Sequence, residues 1–304
     1  MHRFVLTLLA SAALAVAQPT AGDRLNRVIS LHEAKTPALG VFASNISTRS
    51  GAALASAPLD FVIIDLEHTP YDPTRLEAYL LAMVDKRRIF EKHTLQPAVA
   101  PIVRVPANGR EHVEFMIKQV LDLGAFGVVV PHVNNRDDAL AAVRAMRYAH
   151  PDGSPDAAPA GHRGVGYGWA VRYWGLPAAQ YVKRADLWPL DPRGELLLWC
   201  MVESAEAIQN VRDIATTPGV SGLFLGPSDL SVSMGVTESD PKLEAAIEKV
   251  AAVCRDTGVP CGTLTSGDGV TKRLRQGFRF LAVGGDSGLS SAVDRSLRLG
   301  REFR

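Results

Sequence analysis

The feature that most constrains this fold is the alternation of short β-rich runs with longer segments of helical periodicity. Strand composition occurs in eight runs, Gly40–Ala43, Phe61–Asp65, Ile102–Val105, Gly127–Pro131, Leu197–Val202, Gly222–Leu225, Cys261–Thr265 and Phe280–Val283. Helical spacing of apolar residues occurs in the segments Arg75–Val84, His112–Leu123, Arg136–Tyr148, Ala205–Ala215, Leu243–Thr257 and Val270–Gln276. Parallel strands need crossover connections, which are usually helices, so this order predicts a parallel sheet.

The number of these units and their composition favour closure of the sheet into a barrel. Runs such as Val62–Ile64 and Val128–Val130 are continuously apolar, as expected of strands that are covered on both faces. Eight strand–helix units fit a (β/α)₈ barrel of about 250 residues, which this chain is long enough to contain. An open, doubly wound sheet is the alternative, but no Gly-x-Gly-x-x-Gly motif follows an early strand. We therefore predict an α/β chain with the TIM-barrel fold.

The first residues have the pattern of a targeting signal. Arg3 precedes the apolar run Phe4–Val16, and Ala15-Val16-Ala17 is a small-x-small cleavage pattern. The run is shorter than the roughly 20 residues that a transmembrane helix needs. We expect a signal peptide over residues 1–17, followed by a single barrel domain over residues 18–304 that is periplasmic or secreted. An additional N-terminal helix of the barrel is the alternative.

Two segments lengthen the connections of the predicted barrel. Residues 86–100 extend the connection that precedes the third strand, and residues 151–192 form a long excursion rich in Pro, Gly, Trp and Tyr. Insertions of this length in a compact domain are usually functional or are ordered by contacts.

Charge and cysteine content exclude several classes of function. Lys and Arg total 33 against 32 Asp and Glu, so the net charge of +1 provides no electrostatic footprint for a nucleic acid or an anionic membrane, and we expect neither partner. The three cysteines, Cys200, Cys254 and Cys261, lack zinc-site spacing, and an odd number leaves at least one free thiol. Their apolar neighbours indicate buried, unreactive thiols.

Charged residues occur where the predicted strands end, which is where TIM barrels carry their chemistry. The second strand ends in Asp65–His68, the third carries Arg104, the fifth reaches Glu203 and the sixth reaches Asp229. Adjacent strands lie about 4.8 Å apart, so the carboxylates of Glu203 and Asp229 can reach one cation. Oxygen ligands of this kind suit a hard divalent ion.

Each of these residues also has a purely structural interpretation. Glu203 and Asp229 can cap the helices that follow them, because carboxylates are common at helix starts. Arg104 can be a surface arginine, and His68 can satisfy a loop carbonyl. The joint occurrence of these residues at several strand ends favours a catalytic site.

Seven short motifs occur along the chain between Pro37 and Leu289. They are Phe-Val-Ile-Ile-Asp-Leu-Glu-His (61–68), Pro-Ile-Val-Arg (101–104), Leu-Asp-Leu-Gly-Ala (121–125), Val-Val-Pro-His-Val-Asn (129–134), Arg-Gly-Val-Gly (163–166), Val-Glu-Ser (202–204) and Gly-Pro-Ser-Asp-Leu-Ser (226–231). In these motifs and their order the sequence resembles the HpcH/HpaI aldolase family, the metal-dependent class II pyruvate aldolases that include 2-keto-3-deoxy sugar-acid aldolases.

The resemblance implies a barrel of the phosphoenolpyruvate/pyruvate-binding type that holds a divalent cation, Mg²⁺, Mn²⁺ or Co²⁺. By this resemblance, Glu203 and Asp229 bind the metal. Gly226, Pro227 and Ser228 contact the carboxylate of the substrate. A homo-oligomer, usually a hexamer in the family, is also implied.

The resemblance assigns further roles to five residues at the strand ends and in the predicted helical segment His112–Leu123. It implies that His68 does acid/base work, that Asp122 and Asp65 support this histidine, and that Arg104 contacts the pyruvyl oxygens. Glu67 is implied to organise water at the metal. A histidine has a suitable pKa for proton transfer, ordinarily about 6.5.

Three positions depart from the pattern of the family. Met201 stands where glutamine is common two residues before the metal-binding glutamate, Leu66 where glycine is usual, and Ser228 where alanine is common. Because a methionine side chain cannot donate an amide hydrogen bond, Met201 puts the natural substrate in question.

By this resemblance we expect a carbon–carbon lyase that cleaves a hydroxy-2-oxo acid reversibly to pyruvate, or a related keto acid, and an aldehyde. No lysine stands at a predicted strand end, which disfavours Schiff-base chemistry. One alternative is a lyase for a CoA ester, of the citrate lyase beta type. The other is a non-catalytic periplasmic barrel that binds a small carboxylate.

Overall fold

The computed structural model describes residues 24–107, 114–150, 154, 158–286 and 291–303. Within them, eight parallel strands close into a barrel in which each strand pairs with its neighbours in chain order. The strands are β1 Ala38–Ala43, β2 Phe61–Asp65, β3 Ala100–Arg104, β4 Gly127–Val130, β5 Leu197–Val202, β6 Gly222–Leu225, β7 Cys261–Leu264 and β8 Phe280–Gly285. The prediction of a (β/α)₈ barrel is confirmed. The predicted signal peptide lies outside the described residues.

Helices connect these strands and cover the outside of the barrel. They are α1 Arg27–Glu33, α2 Thr48–Ala55, α3 Pro73–Ala82, α4 Lys86–Lys92, α5 Phe115–Asp122, α6 Arg136–Met146, α7 Gly168–Trp174, α8 Ala178–Arg184, α9 Ala205–Gln209, α10 Val211–Ala215, α11 Pro227–Met234, α12 Pro241–Thr257, α13 Asp268–Gln276 and α14 Ser291–Glu302. None of the described helices is both long and apolar enough to cross a membrane.

The interior of the barrel is filled by aromatic rings that face glycines on other strands. Trp199 stacks on Phe280 with ring centroids 4.1 Å apart, and Phe61 meets Trp199 edge-on at 5.3 Å. A Cβ atom on Gly262 would lie 2.1 Å from the Phe280 ring, and one on Gly40 would lie 2.4 Å from the Phe61 ring. Because the lower part of the barrel is packed in this way, a substrate can approach only the carboxyl ends of the strands.

One predicted helix is divided in the structure. The segment Ala205–Ala215 forms α9 and α10, which are separated at Asn210. The side-chain amide of Asn210 donates a hydrogen bond to the carbonyl oxygen of Asn134 at 2.9 Å, across from the β4–α6 connection. A contact between residues so distant in sequence leaves no mark in local hydrophobic periodicity.

The two long connections contain ordered elements. Residues 86–100 include α4 and the start of β3, and residues 151–192 include α7 and α8. The second segment packs back against the barrel, because the Trp174 ring stacks on Phe126 at 4.5 Å and the Trp174 indole N–H donates to the Gly124 carbonyl. A buried ion pair between Arg147 and Asp186, with an Nε–Oδ1 distance of 2.7 Å, fixes the end of the segment.

The three cysteines are all placed near the barrel. Cys254 in α12 forms a disulfide with Cys261 at the start of β7. Cys200 in β5 is a free, buried thiol, as expected, and burial raises its pKa. Its environment therefore makes it unreactive.

Candidate active site

A buried ion pair joins the carboxyl ends of β2 and β3. Asp65 and Arg104 are opposite each other in the register of the two strands. The guanidinium donates from Nε to Oδ1 at 2.9 Å and from Nη2 to Oδ2 at 2.6 Å, and both side chains are less than a tenth exposed. This bidentate geometry fixes the plane of the guanidinium and compensates both buried charges.

The same aspartate organises the turn that follows β2. Its Oδ1 also accepts a hydrogen bond from the backbone N–H of Glu67 at 3.0 Å, and the N–H of His68 lies 3.4 Å from it. The Thr69 hydroxyl donates to the Asp65 carbonyl oxygen. Asp65 therefore orients both Glu67 and His68, whose side chains begin within this turn.

The Glu67 carboxylate lies between Arg104 and His68. Its Oε2 is 3.1 Å from Arg104 Nη1 and 3.6 Å from His68 Nε2. The Glu67 side chain is 10% exposed, whereas that of His68 is 63% exposed. Burial raises the pKa of Glu67, and the positive charge of Arg104 partly offsets this rise. The His68 imidazole is therefore open to solvent, and the charged groups of Glu67 and Arg104 lie largely buried beside it.

A second buried glutamate lies at the end of β5. Glu203 is 2% exposed, and its Oε1 accepts a hydrogen bond from the His132 backbone N–H at 2.7 Å. The imidazole Nδ1 of His132 is 3.5 Å from the same oxygen. Burial raises the pKa of Glu203, and the negative charges of Glu67 and Asp229 raise it further.

The other oxygen of Glu203 faces the end of β6. A Cβ atom on Gly226 would lie 2.6 Å from Oε2 of Glu203, so only glycine leaves this space for the carboxylate. Gly226 is the N-cap of α11, and the exposed Asp229 lies in the first turn of that helix. The strand ends thus place an Asp229 carboxylate within electrostatic range of the Glu203 carboxylate.

The carboxylates fit a hard cation that takes few protein ligands. No group of three or more His, Cys, Asp or Glu side chains in the described ranges is arranged as a complete metal site. Ions such as Mg²⁺ are commonly held by one or two carboxylates, with waters and substrate oxygens completing the coordination. Glu203 supplies a buried carboxylate that forms no ion pair with an arginine or lysine of the described residues, and Asp229 supplies a second, exposed one. Both have the oxygen ligands that such an ion prefers.

The comparisons with known proteins agree with this geometry. The sequence profile of the family described as HpcH/HpaI aldolase/citrate lyase matches residues 39–292. The chain belongs to this family. The resemblance and the carbon–carbon lyase class expected from the sequence are both confirmed.

Relatives of the chain include two aldolases and one solved structure. A 4-hydroxy-2-oxo-heptane-1,7-dioate aldolase of Shigella sonnei is 33% identical over 270 residues, covering 87% of this chain and 90% of the relative. A 5-keto-4-deoxy-D-glucarate aldolase of Escherichia fergusonii is 30% identical, covering 88% and 92%. The crystal structure of an HpcH/HpaI aldolase/citrate lyase family protein from Burkholderia cenocepacia superposes with a TM-score of 0.69 at 30% identity, covering 90% and 98%.

The aspartate expected from family resemblance to support His68 has other contacts. Asp122, at the end of α5, accepts a hydrogen bond from Arg163 at 3.0 Å and forms an ion pair with Lys118. A Cβ atom on Gly166 would lie 2.6 Å from its Oδ2, so the Arg-Gly-Val-Gly loop lies directly against this carboxylate. No contact between Asp122 and His68 occurs in the described part of this single chain. The two residues are therefore not a hydrogen-bonded pair within one chain here.

The three departures from the family pattern lie close to the site. Met201 and Leu66 are both buried, and the Met201 methyl carbon would be 3.3 Å from a Cβ atom on Gly226. The Ser228 hydroxyl donates to Glu238 at 2.6 Å. Met201 therefore gives an apolar wall beside the carboxylate of Glu203.

One residue of this family member's site was not assigned a role from sequence. His132 follows β4, and its backbone N–H and imidazole both face Glu203. The sequence places a histidine just after an apolar strand, at Val130-Pro131-His132. This position at a strand end could have marked His132 as a residue of the site.

We expect the metal-free stability of this lyase to depend on pH through Glu203. Because the pKa of Glu203 is higher in the folded state, the folded state binds more protons above the ordinary carboxyl pKa of about 4.3, and stability falls as pH rises through that window. Glu203→Gln lacks this titration. The free energy of unfolding of the variant, relative to that of the wild type, should therefore increase as the pH rises above about 4.3. The total increase should be about 1.4 kcal/mol for each unit by which folding raises the pKa of Glu203.

Urea unfolding in EDTA at a series of pH values measures this difference. The exposed Glu206 in α9 provides a matched control, since Glu206→Gln should show no such dependence. A pH-independent difference for Glu203→Gln would show that the carboxylate is not destabilised by burial.

Proposed function

We propose that this protein is a divalent-metal-dependent aldolase that cleaves a hydroxy-2-oxo acid reversibly to pyruvate, or a related keto acid, and an aldehyde. The observation that carries the proposal is the position of Glu203 and Asp229 after the neighbouring strands β5 and β6, at the same end of the barrel as an arginine whose orientation is fixed by Asp65. The two aldolase relatives support the same class of reaction. Mg²⁺, Mn²⁺ and Co²⁺ all suit the proposed pair of carboxylates.

The cation and the fixed charges have complementary roles. When bound by Glu203 and Asp229, the cation would supply a Lewis acid that stabilises negative charge on the oxygen of the keto acid. Arg104 adds fixed positive charge close by. Among the described residues, Asp65 and Glu67 contact three of its five N–H groups, and the other two would serve substrate oxygens.

The start of α11 provides a place for the substrate carboxylate. Pro227 occupies the first turn after Gly226, and the helix has no side-chain cap. The backbone N–H groups of the first turn, including those of Ser228 and Asp229, have no acceptor within the helix. Such N–H groups bind anions, so Gly226, Pro227 and Ser228 form the wall against which a carboxylate would lie.

His68 is the proposed proton carrier. Its imidazole is open to the mouth, and the turn ordered by Asp65 holds it beside Glu67. In cleavage, a base must take the proton of the hydroxyl that becomes the aldehyde carbonyl, and the reverse reaction returns it. Glu67 forms an ion pair with Arg104, and its negative charge raises the pKa of Glu203, so it lies near enough to orient water at the proposed cation.

A CoA-ester lyase remains the alternative within the same family, and a non-catalytic carboxylate-binding barrel is the second. The small apolar wall made by Met201 favours a short keto acid over a longer polar group at that position.

We also propose that the protein is exported and forms homo-oligomers. The pattern of residues 1–17 and the disulfide between Cys254 and Cys261 support an oxidising compartment. Exposed apolar side chains near the mouth, including Phe115, Val232 and Leu264, support association with other copies, and a hexamer follows the resemblance.

Both of these proposals can be tested on protein purified from a Gram-negative host that expresses the full chain. The intact mass should correspond to a chain that begins at Gln18, and light scattering should give a multiple of the mature mass. Retention of Met1 in cytoplasmic protein would contradict export, and a monomer at micromolar concentration would contradict assembly.

Exchange of the methyl protons of pyruvate tests the aldolase proposal without knowledge of the aldehyde. In heavy water with Mg²⁺ or Mn²⁺, the wild-type protein should exchange these protons, because exchange requires only formation of the enolate. EDTA should abolish the exchange. Glu203→Gln and Asp229→Asn should lower it by at least tenfold and weaken metal binding. His68→Ala should lower aldol turnover while it leaves metal affinity unchanged.

The outcomes separate the proposed functions. Glu206→Gln is the control and should behave like wild type. Binding of pyruvate without exchange would contradict the aldolase and favour the binding barrel. Cleavage of an acyl-CoA ester without exchange of pyruvate would favour the CoA-ester lyase.

A further inference from the structure

His132 has a backbone conformation that is unusual for a residue with a side chain. Its φ angle is +52°, in the left-handed region that favours glycine. The other described non-glycine residues with positive φ are Lys35, at the end of α1, and His93, at the C-cap of α4. His132 is the one that follows a barrel strand, at the mouth of the site. Such strain at a functional site is retained when it serves that site.

The left-handed conformation directs the His132 amide at a single acceptor. The N–H donates to Oε1 of Glu203 at 2.7 Å, and the imidazole Nδ1 lies 3.5 Å from the same oxygen. The imidazole is 46% exposed, so it lies at the edge of the carboxylate and does not cover it. One oxygen of the glutamate is thus occupied by residue 132.

The second oxygen of Glu203 is directed elsewhere. Oε2 lies against Gly226 at the end of β6, where a Cβ atom would be only 2.6 Å away. The carboxylate therefore bridges the ends of β4 and β6, with Oε1 held by the amide and Oε2 turned toward the start of α11, whose first turn contains Asp229. The hydrogen bond from the amide opposes partial rotation of the carboxylate, which would turn both oxygens away from these positions.

Neighbouring contacts prevent the amide from moving. The Val133 N–H donates to the Met201 carbonyl oxygen at 3.2 Å, two residues before Glu203. The Ser204 hydroxyl donates to Asn134 Oδ1 at 2.5 Å, directly after Glu203. The loop after β4 and the loop after β5 are thus fixed to each other on both sides of the contact between His132 and Glu203.

We propose that His132 is a positioning residue whose backbone amide, presented by the left-handed conformation, aims the Glu203 carboxylate at the divalent cation. The inference rests on the proposed function, because it takes Glu203 as a metal ligand. The role belongs to the amide, so it depends on the conformation that residue 132 can adopt and not on the presence of an imidazole.

A series of substitutions separates the backbone from the side chain. His132→Gly and His132→Asn keep the N–H and tolerate positive φ, whereas His132→Ala tolerates it less and the β-branched His132→Val tolerates it least. Asn and Val have similar size, and all four variants lack the imidazole. We expect the dissociation constant of Mn²⁺, measured by calorimetry and by electron paramagnetic resonance without substrate, to stay within about twofold of wild type for Gly and Asn. It should rise several-fold for Ala and at least tenfold for Val.

Each outcome of this series is decisive. Equal weakening in all four variants would assign the effect to the imidazole and overturn the proposal, and so would wild-type affinity in His132→Val. Circular dichroism and thermal unfolding establish that each variant is folded, and the comparison of Asn with Ala keeps the test valid if Val does not fold. If Glu203→Gln binds Mn²⁺ as tightly as wild type, the metal assignment itself fails, which is a different result from failure of the His132 proposal.

Discussion

The structure depends on how charge is compensated at the carboxyl ends of β2, β3, β5 and β6. A carboxylate taken out of water must be paired, hydrogen-bonded or protonated. Asp65 is paired by Arg104 in bidentate geometry, with two further backbone N–H groups nearby. Glu203 is buried, accepts one backbone N–H and has an imidazole nitrogen 3.5 Å from the same oxygen. The two strand ends therefore differ. Asp65 shares the Arg104 guanidinium with Glu67, whereas Glu203 forms no ion pair with an arginine or lysine among the described residues, so its charge is available to a cation.

The two strand ends therefore have different roles, one in positioning side chains and the other in binding an ion. The Asp65–Arg104 pair is fully compensated, so it is suited to hold a substrate-facing guanidinium and the His68 turn in fixed positions. The negative charge of the Glu203 carboxylate is not neutralised by an arginine or lysine of the described residues, so this carboxylate is suited to bind a cation from solution. The aromatic packing below both, with Arg104 4.7 Å above the Phe42 ring, closes the barrel beneath the site. The charged side chains and the aromatic packing beneath them thus place the site at the carboxyl ends of the strands.

The sequence predicted the parts of the molecule that local patterns determine. Continuous apolar runs such as Val62–Ile64 identified buried strands, and the same alternation placed Glu203 and Asp229 directly after β5 and β6. Contacts between distant residues were not predictable in this way. The break at Asn210 arises from a hydrogen bond to Asn134, and the contact of His132 with Glu203 needs a positive φ angle that no composition or periodicity reports. The partners of Asp122, Lys118 and Arg163, likewise become evident only when α5 and the Arg-Gly-Val-Gly loop are placed together.

The central claim is that Glu203 and Asp229 share one divalent cation, and anomalous diffraction from crystals soaked in Mn²⁺ tests it most directly. The account predicts one strong anomalous peak at the carboxyl ends of β5 and β6, about 2.0–2.3 Å from an oxygen of each carboxylate, with water or keto acid at the remaining positions. A peak bound by one of the two residues alone, or Mn²⁺ bound only at another place in the protein, would contradict it.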